Sequence, residues 1–164
     1  MKLKQLLAAS LLIGMISCKS KTAFDYSETI VKMETELSAE IAMVDEKVNE
    51  YLEAKKTDSA IIMSRQMEAL AEEKLKKVQQ MNAPKVAEGE NFKKAAIRYF
   101  TYIESIYSSF SKFTMAETEK EKAAERKKLS KIIGEKNQIA QAMQEAQRKF
   151  AVANDFRIEK TDTD

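Results

Sequence analysis

The sequence predicts an all-α protein, an antiparallel up-down-up-down four-helix bundle, and three observations carry that prediction. The chain of 164 residues holds three Gly and one Pro, too few breakers for many short strands and tight turns. Charged residues make up 33% and hydrophobic residues 44%, the balance of helices that each bury one stripe. Apolar side chains also recur at steps of three and four along four separate segments. The segment from Phe92 to Phe113 shows the pattern best. Phe92, Ala96, Tyr99, Ile103, Ile106, Phe110 and Phe113 share one stripe, flanked by Phe100 and Tyr107 on one side and Ala95 and Tyr102 on the other. Seven of the twelve aromatic residues lie here. A face this wide suits a helix that touches two neighbours at once.

The elements follow in order. Lys2 and Lys4 precede an apolar run from Leu6 to Ile16. The run is about half of the ~20 residues needed to span a bilayer, so residues 1–17 read as a signal peptide. The next residues, Met15-Ile16-Ser17-Cys18, resemble the lipobox of bacterial lipoproteins. That resemblance implies removal of the segment before Cys18 and covalent lipid on Cys18 as the new first residue. Ordinary secretion with an unpaired thiol is the alternative. One acyl chain holds a protein only marginally, at about 0.8 kcal/mol per buried methylene, whereas two or three anchor it stably. The resemblance implies the latter. Loss of Lys2 and Lys4 from the 28 basic residues would leave them balanced against the 26 acidic ones. A neutral mature chain has no net field to draw it to nucleic acid.

Residues 18–23 then form the lipidated Cys and a short tether. Lys19 to Thr22, fully extended, reach only ~13–14 Å, so the bundle over residues 24–158 should sit close to the membrane. The first helix is expected to start near Asp25, which has capping-box spacing to Glu28. Its stripe runs Ile30, Leu37, Ile41, Val44, Val48 and Tyr51, with Glu34 and Lys55 at frayed ends and Met33 beside Glu34. Lys55 and Lys56 suit a helix C-terminus, and Thr57 or Asp58 offers the next N-cap.

The second helix covers Ser59 to Met81, with Ile62, Met63, Met67, Leu70, Ala71, Leu75 and Val78 apolar, and Asn82-Ala83-Pro84 stops it. Lys85 to Glu90 lead into the aromatic helix, which runs to about Thr114. Thr118 and Glu121 have capping-box spacing at the head of the fourth helix. That helix begins in a charged, solvated stretch and buries Leu129, Ile132, Ile133, Ile139, Ala140, Met143, Ala146, Phe150 and Ala153. Gly134 weakens its middle by about 1 kcal/mol without requiring a break. Asn154 is a candidate left-handed terminator that lets Phe156 and Ile158 fold back. Residues 159–164 read as a disordered tail.

The inventory for chemistry is thin. Without His, neither the Glu-x-x-His pair of di-iron bundles nor a Ser-His-Asp relay can be built. Isolated glycines make no phosphate-cradling loop. Acid pairs such as Glu72-Glu73 or Glu50 with Glu53 fall on polar faces, where nothing raises a pKa. The chain is therefore not expected to be an enzyme or to use a cofactor beyond the lipid on Cys18. Met63 and Met67 stand one turn apart, as thioether ligands of Cu(I) do, but both lie on the apolar stripe and read as core filler. Tyr102 and Tyr107 flank the aromatic stripe. They form either the rim of the core or an exposed patch for partner contact.

Cys18 in its lipobox, the segment Phe92 to Phe113, and the ending Gln147-Arg148-Lys149-Phe150-Ala151 with Asn154, Phe156 and Ile158 together resemble a group of small helical-bundle surface lipoproteins of unknown function. The group is of the spirochaete and Bacteroidota type. The resemblance implies an anchored bundle in the cell envelope and brings no catalytic residues. Lys19 in place of an Asp after the Cys favours the outer membrane, on either its periplasmic face or the cell surface. The function expected is a non-catalytic binding or structural module, held to the bilayer through Cys18 and meeting an envelope or extracellular protein. The alternative is a carrier of a small apolar or metal ligand in the bundle interior.

Overall fold

The computed structural model describes the backbone of residues 3–158 and the side chains of residues 19–158. The described residues form helices α1 (Leu3–Glu53), α2 (Thr57–Gln80), α3 (Gly89–Met115), α4 (Glu119–Gly134) and α5 (Lys136–Ala153). α4 and α5 divide what the periodicity reads as one helix, so four rods pack against each other. α3 packs on α2 and on both α4 and α5, while α1 packs on α2 and α5. The aromatic helix thus serves more than one neighbour, as its wide face requires. The side chains expected in the signal segment and the tail at 159–164 lie outside the described residues.

The start of α1 corrects two expectations. Asp25 is interior to the helix: its carboxylate pairs with Lys21 at 3.3 Å and its carbonyl accepts from Thr29 Oγ1 at 2.8 Å. Nothing upstream breaks the helix, so no capping box is needed where the preceding turn already supplies acceptors. The segment over residues 18–23 is helical, and Ala23 is fully buried. Four helical residues advance about 6 Å, less than half their extended reach. Glu34, expected at a frayed end, is instead half-buried in mid-helix.

The turn after α1 is a Schellman closure. Lys55 takes φ 58°, the Lys55 amide donates to Leu52 O at 3.1 Å, and Lys56 N–H donates to Tyr51 O at 2.7 Å. Thr57 is the first helical residue of α2, and Lys56 occupies the N-cap without a side-chain bond, in place of the expected Thr57 or Asp58. The buried line of α2 is Ala60, Ser64, Met67, Ala71, Lys74 and Val78. Ile62 is turned out, 57% exposed. Lys74 is covered because Glu36 of α1 pairs with it; Ser64 Oγ donates to Ala60 O at 2.9 Å.

Along α3 the buried line runs Phe92, Ala96, Phe100, Ile103, Tyr107 and Ser111, leaving Tyr99, Ile106 and Phe110 half-buried. A straight helix drifts about 20° per heptad from a strict seven-residue repeat, and by the third heptad the core meets Tyr107 instead of Phe110. Gly89 opens α3 because a Cβ there would lie 2.4 Å from Pro84 O. α4 carries the capping box expected of Thr118 and Glu121, with Glu121 N donating to Thr118 Oγ1 at 3.2 Å. The rod breaks at Glu135 (φ −86°, ψ −6°), whose amide donates to Ile132 O at 3.0 Å, three residues back instead of four. Gly134, with no side chain to hold the turn, sits at that break.

At the C-terminus the left-handed residue is Asp155 (φ 56°), not Asn154. Asn154 works through its side chain, whose Nδ2 donates to Phe150 O at 2.8 Å and Ala87 O at 2.9 Å. Phe156 N–H then closes on Ala151 O at 3.1 Å, and the Phe156 ring folds back as expected. It meets Phe150 edge-on at 5.7 Å, in a cluster where Phe92 and Phe150 stack at 5.1 Å and Tyr26 sits 6.1 Å from each. Ile158 folds back as well, bordering a depression with Phe24 and Phe156, but stays 40% exposed.

Candidate functional site

The aromatic cluster seals one half of the bundle; the other half is open. α4 contributes no buried residue, and Ile133 near its end is 52% exposed. Its sequence explains this, since Glu119 to Lys128 supplies charges and Ala where the neighbouring helices supply large apolar groups. A cleft of about 270 Å³ results, walled by Val48 and Asn49 of α1 and Leu129 and Ile133 of α4, with Ile106 and Phe110 of α3 as its floor. It runs into a second cleft of about 410 Å³ past Ser38, Ile41 and Ile103, with Lys136 at its rim. Asp45, Tyr107 and Ile133 line both.

Two tyrosine–carboxylate contacts supply the polar groups near these clefts. Tyr107 Oη donates to Asp45 Oδ1 at 3.0 Å, linking α3 to α1. Burial, then the Asp45 charge beside it, raises the Tyr107 pKa well above its ordinary value. Tyr99 is pushed up to about 12 by burial and then by the charge of Glu34, and it also bonds Ser38. Burial raises the Glu34 carboxyl, against the Tyr99 hydrogen bond that lowers it. Tyr102 is raised by burial and then by Glu135. At neutral pH these hydroxyls are neutral, and Tyr107 already gives its one proton to Asp45, so these contacts tie helices together and are poor at exchanging protons.

The two tyrosines singled out for partner contact are both buried, Tyr102 at 7% and Tyr107 at 6% exposure. This corrects the exposed-patch reading: the rings belong to the core, and only their edges border the clefts. The wide face of α3 must satisfy two neighbours, which leaves its flanking rings little water. Met67 is 1% exposed, and Met63 packs against the same core cluster on α2, the position of core filler. No group of three or more His, Cys, Asp or Glu among the described residues is placed to hold a metal. The side chain of Cys18 lies outside the described residues. No helix among them is long and apolar enough to cross a membrane.

Asp45 and Ser38 were missed by the sequence reading. A signal for Asp45 did exist: it stands one turn after Ile41 and three residues before Val48, an acid at the edge of an apolar stripe. Lys74 was equally legible, four residues before Val78 on the stripe of α2. Neither could be given a partner without knowing how the helices face each other. No protein family, curated protein or solved structure was found to match this chain.

Proposed function

We propose that this chain is an exported lipoprotein of the bacterial envelope, processed before Cys18, acylated there, and favoured at the outer membrane. The helices over residues 24–158 would alternate up-down-up-down. The Glu36–Lys74 pair supports this, its members standing equally far in sequence from the turn at Lys55. The bundle acts as a non-catalytic binding or structural module toward an envelope or extracellular protein.

The single observation that carries the binding role is the cleft between α1, α3 and α4, the flank of the bundle where apolar side chains stay half-covered. Helix-lined grooves with a few polar groups at the edge are common recognition surfaces. A photo-crosslinking residue placed at Ile133 in intact cells should capture a defined product that one at Val152, 70% exposed on α5, does not. With the crosslinker kept at position 133, Leu129→Lys in the same cleft should abolish that product while leaving circular dichroism unchanged. Identical products at both positions, or none at Ile133, would refute the role.

A carrier of a small apolar or metal ligand is the second reading, favoured by the apolar lining of the same cleft. The interior is filled by Phe92, Phe100 and Phe150, so the ligand would lie in the cleft. Native mass spectrometry of protein purified from its source separates the two readings, since only a carrier retains a bound mass.

A further inference from the structure

The end of the bundle where α1 enters carries an apolar patch that the fold leaves uncovered. Phe24 is 43% exposed and Ile158 40%, and the Phe24 ring meets Phe156 edge-on at 5.8 Å. With Val31 and the stem of Arg157 they border a shallow depression of about 460 Å³. The closure at Asp155 holds Phe156 here, so the patch is built from both ends of the chain.

Its position is close to Cys18. α1 is unbroken across residue 18, and packing begins at Ala23, which is fully buried. At 1.5 Å per residue, Phe24 stands about 9 Å along the helix axis from residue 18. The polar layer between hydrocarbon and water is about 5–8 Å thick on each side of a bilayer, by the difference between its full and core thickness. A lipid-bearing residue 18 at the hydrocarbon boundary therefore puts Phe24 at the outer edge of the headgroup layer when α1 stands upright, and within the layer when the helix tilts. Only residues 19–22 separate residue 18 from the first buried side chain, Ala23, so the bundle cannot stand far off.

We propose that Phe24, Phe156 and Ile158 form a footing that rests in the headgroup layer of the lipid bilayer and fixes the tilt of the bundle. The proposal rests on the reading of Cys18 as lipidated. Phe and Ile side chains on the face of a membrane-lying element bury at this boundary, and Arg157 and Lys19 at the same end are long enough to reach headgroups from beside them. Lys21 is paired with Asp25, and Glu28 lies at the edge of the depression, so the footing carries no strong positive field. It should bind zwitterionic lipid, through burial of ring area rather than through charge.

The chain contains no Trp, so an introduced Trp reports one position. The full chain, exported and purified in its processed form, is placed in phosphatidylcholine vesicles as Phe24→Trp, Ile158→Trp or Leu52→Trp. Leu52 is 41% exposed and about 42 Å from Phe24 along α1. Vesicles should shift the emission of the first two variants to shorter wavelength, and brominated acyl chains should quench it. Leu52→Trp should show neither effect. If intact mass shows acylated Cys18 but all three variants stay equally open to aqueous quencher, the footing is wrong and the anchor stands. If Cys18 carries no acyl mass, the anchor fails and the footing falls with it.

Discussion

The two halves of this bundle use the same α3 but are finished differently. Toward the start of α3, Tyr26, Phe92, Phe150 and Phe156 fill the space between rods with interlocking rings, and Asn154 ties the C-terminus to the Ala87 carbonyl. Toward its end, α4 offers Leu129 and Ile133 only partly covered, and the rod above it breaks at Glu135. Both halves obey the helical apolar repeat. What separates them is side-chain volume: rings close the gap between helices, whereas Ala and charged groups leave it open. The binding role proposed above would draw on that division, one half supplying stability while the other keeps area free.

The largest test of the comparison is truncation on each side. Phe150→Ala, at a fully buried ring with three aromatic neighbours, should cost about 3–5 kcal/mol by denaturant unfolding. Leu129→Ala in the cleft should cost well under half of that. Equal costs would mean that the open half is packed as tightly as the closed one.

The two described interior glycines sharpen it further, with opposite signs. Gly89→Ala forces a Cβ against the Pro84 carbonyl oxygen and should destabilise by about 1–3 kcal/mol. Gly134→Ala meets nothing within 4 Å and should stabilise by up to about 1 kcal/mol through helix propensity. Thermal unfolding followed by circular dichroism reads both. A destabilising Gly134→Ala would show that the break between α4 and α5 is required by packing.

The smallest effect concerns Glu34, near the middle of α1. Its carboxyl is raised by burial, so the folded state keeps the proton to higher pH than the unfolded chain, whose Glu titrates at ~4.3. Because the folded state then binds more protons, stability falls as pH rises through that window. Glu34→Gln should therefore raise Tm at neutral pH, and the gain should disappear below the unfolded value, where the carboxyl is neutral in both states. Calorimetry at the two pH values decides it: a gain that persists or grows in acid contradicts a buried, pKa-raised carboxyl.

Much of this was legible beforehand. The stripes of α1 and α3, the Pro84 stop and the capping box at Thr118 and Glu121 are local features, set by residues within a turn or two of one another. The misses were equally local in place but not in cause. Asp25 was read as a cap because the pattern Asp-x-x-Glu suits one, yet the helix arrives already formed from upstream. Tyr107 displaced Phe110 from the core because helix drift accumulates over heptads.

The amino-acid sequence alone determined that apolar side chains repeat at the helical period, where the first three rods stop, and that α3 would be the most heavily buried. Those properties depend on neighbours in the chain, so they can be read from order and spacing. Tertiary structure alone decided that Asp45 meets Tyr107, that Glu36 covers Lys74, and that α4 leans off α1 to leave a cleft. These join residues 38 or more positions apart, and their geometry follows from how volumes on facing helices fit, which no single helix contains.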